Sequence, residues 1–391
     1  MTIRSQGYAS DMNIVLLSAE YPPIPGGVGD YTRLLGMALL RRGHKVVALT
    51  GMASGAEDRQ PLRVVRLPLR HWNWQCWRPV QQALRDLKPD VLHIQYQTGA
   101  YGMHPAINLL PWRLRAWANR PRIVVTAHDL LPPYLFPKAG LIRDWVTRKL
   151  LLDADAAVAT NDADEALLRR WGAGRGHHRL TVIPIGANIA VAPPPAWDRQ
   201  EWRARLGIAP EMTLIAHFGL ISRSKGVDTL IQALARLPQT FRLIVIGGAA
   251  TAQQDRVYAD EVRQRIIASR LDERVMITGH CDEATVSAHL LAADLAALPF
   301  TDGASFRRGS LLATLAHGVP TITTPGSAAL VDCIHVVLTP PGDPEALARA
   351  ITRLAHDPAL RERLSASGKT LAAQFSWEEI ASRHEELYRR L

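Results

Sequence analysis

Cysteine is scarce: Cys76, Cys281 and Cys333 are odd in number and far apart. That spacing excludes a disulfide framework and a cysteine-based zinc site, and suits a reducing cytosol. No apolar run reaches the length of a membrane span. The opening MTIRSQGYASDMN lacks the apolar core of a signal peptide, so no leader is expected. Internal repeats and low-complexity tracts are absent, which excludes solenoid and disordered classes. No helix-turn-helix, zinc-finger or RNP-like pattern occurs, so nucleic acid is not an expected partner.

What is present is an ordinary globular balance. The 391 residues are 47% hydrophobic and 21% charged, enough for two domains. The net charge of +10 is unevenly placed. Up to Ala190 there are 24 Lys and Arg against 14 Asp and Glu, an excess of ten; from Val191 onward the count is 22 against 22. An anionic partner for the first half is therefore expected, a membrane surface or lipid phosphate above all. The stretch His71-Trp72-Asn73-Trp74-Gln75-Cys76-Trp77-Arg78 allows two readings. Its tryptophans suit a membrane interface or a sugar-stacking surface, and equally suit packing into the first domain.

In chain order, short apolar strands alternate with amphipathic helices, the pattern of parallel α/β domains. Asn13 to Ser18 reads as a strand, followed by a Pro- and Gly-rich loop holding Gly26, Gly27 and Gly29. A helix and the strand Lys45 to Thr50 come next. The Gly-Gly-x-Gly spacing is not that of a dinucleotide fingerprint, and no acidic residue ends the second strand. Further strands are expected at 64–66, 91–95, 123–127, 156–160 and 181–183. His93, Gln95 and His128 fall at or near strand ends, where ligands of parallel sheets bind. The run Val191-Ala192-Pro193-Pro194-Pro195 is stiff and extended, and reads as a linker.

The second half repeats the pattern. The strand Thr213 to Phe218 runs into Gly219 and then Arg223-Ser224-Lys225-Gly226, ahead of a helix. Strands follow at 242–246 and 275–278. Asp294 to Pro299 is an apolar strand; Asp302, Gly303, Ser305, Arg307, Arg308, Gly309 and Ser310 form the loop after it. A short helix over 311–317 is stopped by Gly318 and Pro320, and the strand Thr321 to Thr324 completes a βαβ unit. Arginines, a glycine and a serine just before a helix N-terminus form an anion site, since free amides, helix dipole and guanidinium forks all favour a phosphate.

The frame from Leu298 to Thr324, with its His-Gly-Val-Pro turn, resembles the donor-site segment of retaining GT-B glycosyltransferases of glycosyltransferase family 4. The glycine loop at 26–29 and the strand end at 183–188 resemble the same family. The resemblance implies two Rossmann-like domains facing across a cleft: residues 1–190 on the acceptor side, a linker at 191–197, a nucleotide-sugar domain at 198–374, and a helix at 375–391 crossing back to the first domain. It implies retention of anomeric configuration and a nucleotide-diphosphate sugar as co-substrate. Lys225 matches the lysine that holds the donor diphosphate. His128 matches the histidine that contacts the transferred sugar. Gly27, Gly219, Asp302, Arg307, Arg308, Gly309 and Ser310 fall on donor-binding positions, and His93 and Gln95 on the acceptor side.

Two departures stand out. The family's paired glutamates are Ser305 and Ala313 here, and the arginine expected directly after Gly219 is Leu220. Arg223, Arg307 and Arg308 are the cations available to replace it. No Asp-x-Asp motif lies in a suitable place, so no metal is expected. The expected enzyme is a cytoplasmic glycosyltransferase, docked peripherally on the inner membrane face, with a glycan or lipid-linked acceptor in polysaccharide or glycolipid synthesis. Two alternatives stay open: a GT-B binding subunit without catalysis, and a sugar-nucleotide epimerase.

Overall fold

The central strands are apolar because they are covered on both faces. In the computed structural model Ile14, Val15, Leu16 and Leu17 are all 0% exposed, which an alternating half-buried strand could not sustain. The structure describes residues 11–24, 26–53, 61–130, 140–176, 178–187, 189–248, 253–327 and 329–391. Asn188, at the end of the 183–188 stretch, lies outside the described residues.

The chain divides into two units, Met1–Ile185 with Trp377–Leu391, and Gly186–Ser376. The first contains β1 (Asn13–Ser18), α1 (Gly27–Arg41), β2 (Lys45–Thr50), β3 (Arg63–Arg66), α2 (Trp77–Leu87) and β4 (Val91–Gln97). It continues with α3 (Leu110–Leu114), β5 (Arg122–Asp129), α4 (Gly140–Asp153), β6 (Ala156–Ala159), α5 (Asp162–Trp171) and β7 (Arg179–Val182). The sheet order is β3-β2-β1-β4-β5-β6-β7, with every pair parallel. Strand order therefore reverses between β1 and β4, and a crevice opens at that switch point beyond their carboxyl ends.

The second unit begins with α6 (Arg199–Arg205), β8 (Thr213–Phe218), α7 (Val227–Leu234), β9 (Phe241–Ile246), α8 (Gln253–Ala268) and β10 (Val275–Ile277). It ends with α9 (Glu283–Ala292), β11 (Leu295–Leu298), α10 (Gly309–Ala316), β12 (Thr321–Thr323), β13 (Val337–Leu338), α11 (Pro344–His356) and α12 (Pro358–Ala373). Its order, β10-β9-β8-β11-β12-β13, is again parallel, with the switch between β8 and β11. The residues read as a linker pack on this unit: Ala192 N–H donates to Ser287 Oγ at 3.0 Å, and Trp197 packs against the cluster holding Leu214 and Val286.

The last helix, α13 (Trp377–Arg389), belongs to the first unit. Ile380, Ala381, Leu387 and Tyr388 share one apolar cluster with Leu35 and Leu39 of α1. Arg41 and Arg42 reach Glu378 and Glu385, each at 2.6 Å. The helix also brings buried polar groups: Tyr388 Oη lies 2.7 Å from His93 Nδ1, and His384 Nε2 lies 3.4 Å from the Tyr31 hydroxyl.

Candidate functional site

In the second unit, two loops leave the adjacent strands β8 and β11 at the switch point. Both are pressed together along their backbones. A Cβ on Gly226 would stand 2.0 Å from the Pro299 carbonyl oxygen, a contact no other residue could make. Gly226 also has φ of 65°, in the left-handed region. Thr301 N–H donates to the Ser224 carbonyl at 3.1 Å, stitching the loops side by side.

This packing brings Lys225 and Arg308 to one aromatic ring. Lys225 Nζ lies 5.1 Å from the centroid of Phe300, and the Arg308 guanidinium carbon lies 4.2 Å from it. Each cation is attracted by the ring quadrupole, which offsets part of the cost of bringing like charges together. Arg308 pairs with Asp302 across the loop and is 15% exposed. Its Nε is buried without a hydrogen-bond partner among the described residues, and so is Ser310 Oγ. Such groups are costly to leave unmade and mark a place where a ligand oxygen is received.

The helix α10 begins at Gly309 rather than at Leu311. Arg308 is its N-cap, with no side chain capping the end, and Gly309 and Ser310 form its first turn. Arg308, Ser310 and the helix N-terminus follow one another along the loop, a set of groups that can receive an anion. Burial first, and the Arg308 charge second, push the Lys225 pKa down to about 8, with Asp302 opposing.

The other expected residues are placed as follows. Gly219, with φ of 137°, lies beside the Lys225 stem. Arg223 is held on α8: it makes two hydrogen bonds to Glu261, at 2.8 and 2.9 Å, and lies over the Tyr258 ring. Arg307 is exposed. In the first unit, Gly27 opens α1 with nothing within 4 Å of where a Cβ would be. His128, at the end of β5, is 8% exposed; its Nε2 shares a 2.9 Å hydrogen bond with Gln95 Oε1, and Tyr31 packs edge-on at 4.6 Å. His93 is wholly buried, with Nδ1 on Tyr388 and Nε2 on Thr126, each at 2.7 Å. Burial holds its pKa well below the ordinary histidine value.

Two residues escaped the sequence reading. Phe300, between the expected strand and the loop, carries no role in that reading and lies within reach of both cations. His217, on β8, is fully buried and donates from Nδ1 to the Ala297 carbonyl at 2.9 Å, leaving Nε2 without a partner among the described residues. Burial, with a smaller contribution from the Lys225 charge, pushes its pKa down to about 4. A histidine inside an otherwise apolar strand was the available signal.

Ala313 is 0% exposed and packs among Val286, Leu290 and Val319. A glutamate cannot be restored there without overpacking and burying a carboxylate. Ala313→Glu is expected to destabilise the second unit by roughly 1–3 kcal/mol or more, read as a lower melting temperature with no gain in nucleotide affinity.

The comparisons with known proteins agree with this fold. Residues 26–186 match the glycosyl transferase 4-like domain, and residues 213–357 match the glycosyl transferases group 1 domain. D-inositol 3-phosphate glycosyltransferase of Xylanimonas cellulosilytica is 27% identical, over 96% of each chain. Sucrose-phosphate synthase from Thermosynechococcus elongatus superposes with a TM-score of 0.71 at 25% identity, covering 96% of this chain and 98% of that one. Anabaena Alr3699/HepE, in complex with UDP and glucose, gives a TM-score of 0.73 at 22% identity, over 97% and 100%. With two family domains in order along its length and the parallel α/β architecture of both halves, the chain belongs to the glycosyltransferase family 4 enzymes of GT-B fold.

Proposed function

We propose that the protein transfers a sugar from a nucleoside-diphosphate donor, with retention of configuration, to a glycan or lipid-linked acceptor. The observation that supports it is the pair Lys225 and Arg308 at Phe300, with Ser310 in the first turn of α10 directly after Arg308. In the reaction the bond from the anomeric carbon to the diphosphate breaks and a bond to the acceptor oxygen forms. Negative charge grows on the leaving diphosphate. Lys225, Arg308 and the α10 amides are aimed at that charge before the reaction begins, so little reorganisation is needed. These protein cations supply the stabilisation without a metal ion in this reading. Retention is what the family resemblance implies.

The test is thermal shift of the full chain against a panel of nucleotide sugars. A ligand at a hundred times its Kd is expected to add about 2.7 kcal/mol to stability. UDP-sugars come first, because the Anabaena protein of the same fold was crystallised with UDP. No shift with any nucleotide sugar, and no slow hydrolysis of any donor, would favour a binding subunit instead.

The reading includes a cytoplasmic location and an anionic membrane as the docking surface of the first unit. Adding the charges of Trp377–Leu391 to those up to Ala190 gives 27 Lys and Arg against 18 Asp and Glu, an excess of nine. Of the two readings open for the tryptophans after β3, packing into the first unit holds for Trp72 and Trp77. Trp72 is buried against Tyr101, and Trp77 is half-buried with Nε1 donating to Ala106. Trp112 and Trp145 are 49% and 57% exposed, and Lys149 lies 6.0 Å from the Trp112 ring. Exposed tryptophans beside cations suit a headgroup interface. Co-sedimentation with anionic liposomes is expected, falling steeply with salt and with Trp112→Ala/Trp145→Ala. Equal binding to neutral vesicles would reject it.

A further inference from the structure

The tryptophan-rich stretch after β3 has no part in the donor chemistry, yet it is built into the carboxyl edge of the first sheet. Trp72 packs edge-on against Tyr101, with ring centroids 5.2 Å apart. Tyr101 in turn donates its hydroxyl to the Leu17 carbonyl at 3.3 Å, near the end of β1. Gly51, just after β2, leaves room for the Leu69 carbonyl and the Trp72 ring; a Cβ there would stand 3.0 Å from that oxygen. The loops after β3 and β4 are therefore tied to the ends of β1 and β2, where parallel sheets take their ligands.

Between these loops lies a cavity of about 300 Å³, lined by Arg70, His71, Trp72, Asn73, Tyr101 and His104 with the glycines Gly99 and Gly102. Small-molecule sites run from about 300 to 1,000 Å³, so this one has room for a single ring. Among the described residues no carboxylate lines it. Three of its side chains, Arg70, Asn73 and His104, offer donors. Arg70 brings a guanidinium. Asn73 spends its Oδ1 accepting from Gln75 N–H at 3.0 Å, which leaves the amide NH₂ to donate. His104 Nδ1 accepts from Ala106 N–H at 3.2 Å, so the proton of the neutral ring sits on Nε2. At the rim, Trp74 is 47% exposed and stands edge-on to His104 at 5.0 Å, an apolar face for the C–H side of a sugar.

Donors without acceptors call for a ligand rich in acceptors, and an arginine among them calls for an anion. We propose that this cavity is an acceptor subsite for one sugar ring that carries a phosphate or a carboxylate. The proposal rests on the sugar-transfer reading for the word acceptor, and on the cavity alone for the ligand class.

The test is isothermal titration of the full chain, without donor, with glucose 6-phosphate, mannose 6-phosphate, glucuronate, glucose and inorganic phosphate. A charged sugar is expected to bind at one site, and uncharged glucose at least tenfold more weakly. Preference between the phosphates and glucuronate identifies the anion. Arg70→Ala, at an exposed position, is expected to weaken that binding by about ten- to a hundredfold, and Trp74→Ala also to weaken it. UDP affinity is expected to be unchanged in both variants. Binding of no probe, equal binding by Arg70→Ala, equal binding of glucose, or inorganic phosphate matching every sugar would each overturn the proposal. A chain that takes the charged sugar in an Arg70-dependent way but no nucleotide sugar would keep this site and sink the donor reading. The reverse result would do the opposite.

Discussion

Arg308→Ala is expected to lower kcat by about a hundred- to a thousandfold, the usual cost of removing one preorganised electrostatic donor. The side chain is largely buried and stacked on Phe300. Its Nε has no partner among the described residues, so its donor is available to a ligand oxygen. Arg307→Ala, on the exposed side of the same loop, is expected to have a far smaller effect. The distinction matters because the two residues are neighbours and carry the same charge. Steady-state kinetics with a saturating donor decides it. Equal losses in the two variants would show that net charge, and not placement, is what the loop supplies.

Lys225→Ala is expected to lower kcat/KM by about ten- to a hundred-and-fiftyfold, the value of one charge-assisted contact of roughly 1.5–3 kcal/mol. Its pH dependence is the sharper readout. The free lysine has a pKa of about 8, well under the ordinary 10.5, because burial and Arg308 disfavour its charge. Below about pH 8 it is already protonated and meets the diphosphate as a cation. Above that value a proton must be taken up on binding, so donor affinity is expected to fall by up to tenfold per pH unit. The alkaline limb should vanish in Lys225→Ala and shift upward in Arg308→Ala. Stability moves the other way. The unfolded lysine holds its proton more tightly than the folded one, so this group costs stability below about pH 8 and the cost is relieved as pH rises toward 10.5. A pH-independent donor affinity between pH 7 and 9 would show that Lys225 does not meet the phosphate.

Ser305 and Ala313 fit this account. A ribose-binding glutamate contributes mainly uniform binding, which alters KM more than kcat. Ala313 sits buried in an apolar cluster, where a carboxylate has no room.

The strands and the order of the βα units were legible in the residues. Fully buried parallel strands leave continuous apolar runs, and Gly226, Gly303 and Gly318 stand where positive φ is required. Lys225 and Arg308 were legible too, because each follows a strand end and precedes a helix. What the residues could not show was direction. Arg223 and Lys225 lie two apart, yet one guanidinium is held on Glu261 and the ammonium lies over Phe300. Arg307 and Arg308 differ in the same way. Those choices depend on which side chains from α8 and from the loop after β11 come within reach, and that is set by strand order across the sheet. The pairing of His93 with Tyr388, 295 residues apart, is likewise a product of the last helix joining the first unit. Local sequence determined which residues stand at strand ends; only the tertiary structure decided which of their side chains meet, because contacts over such separations are made by packing and not by spacing.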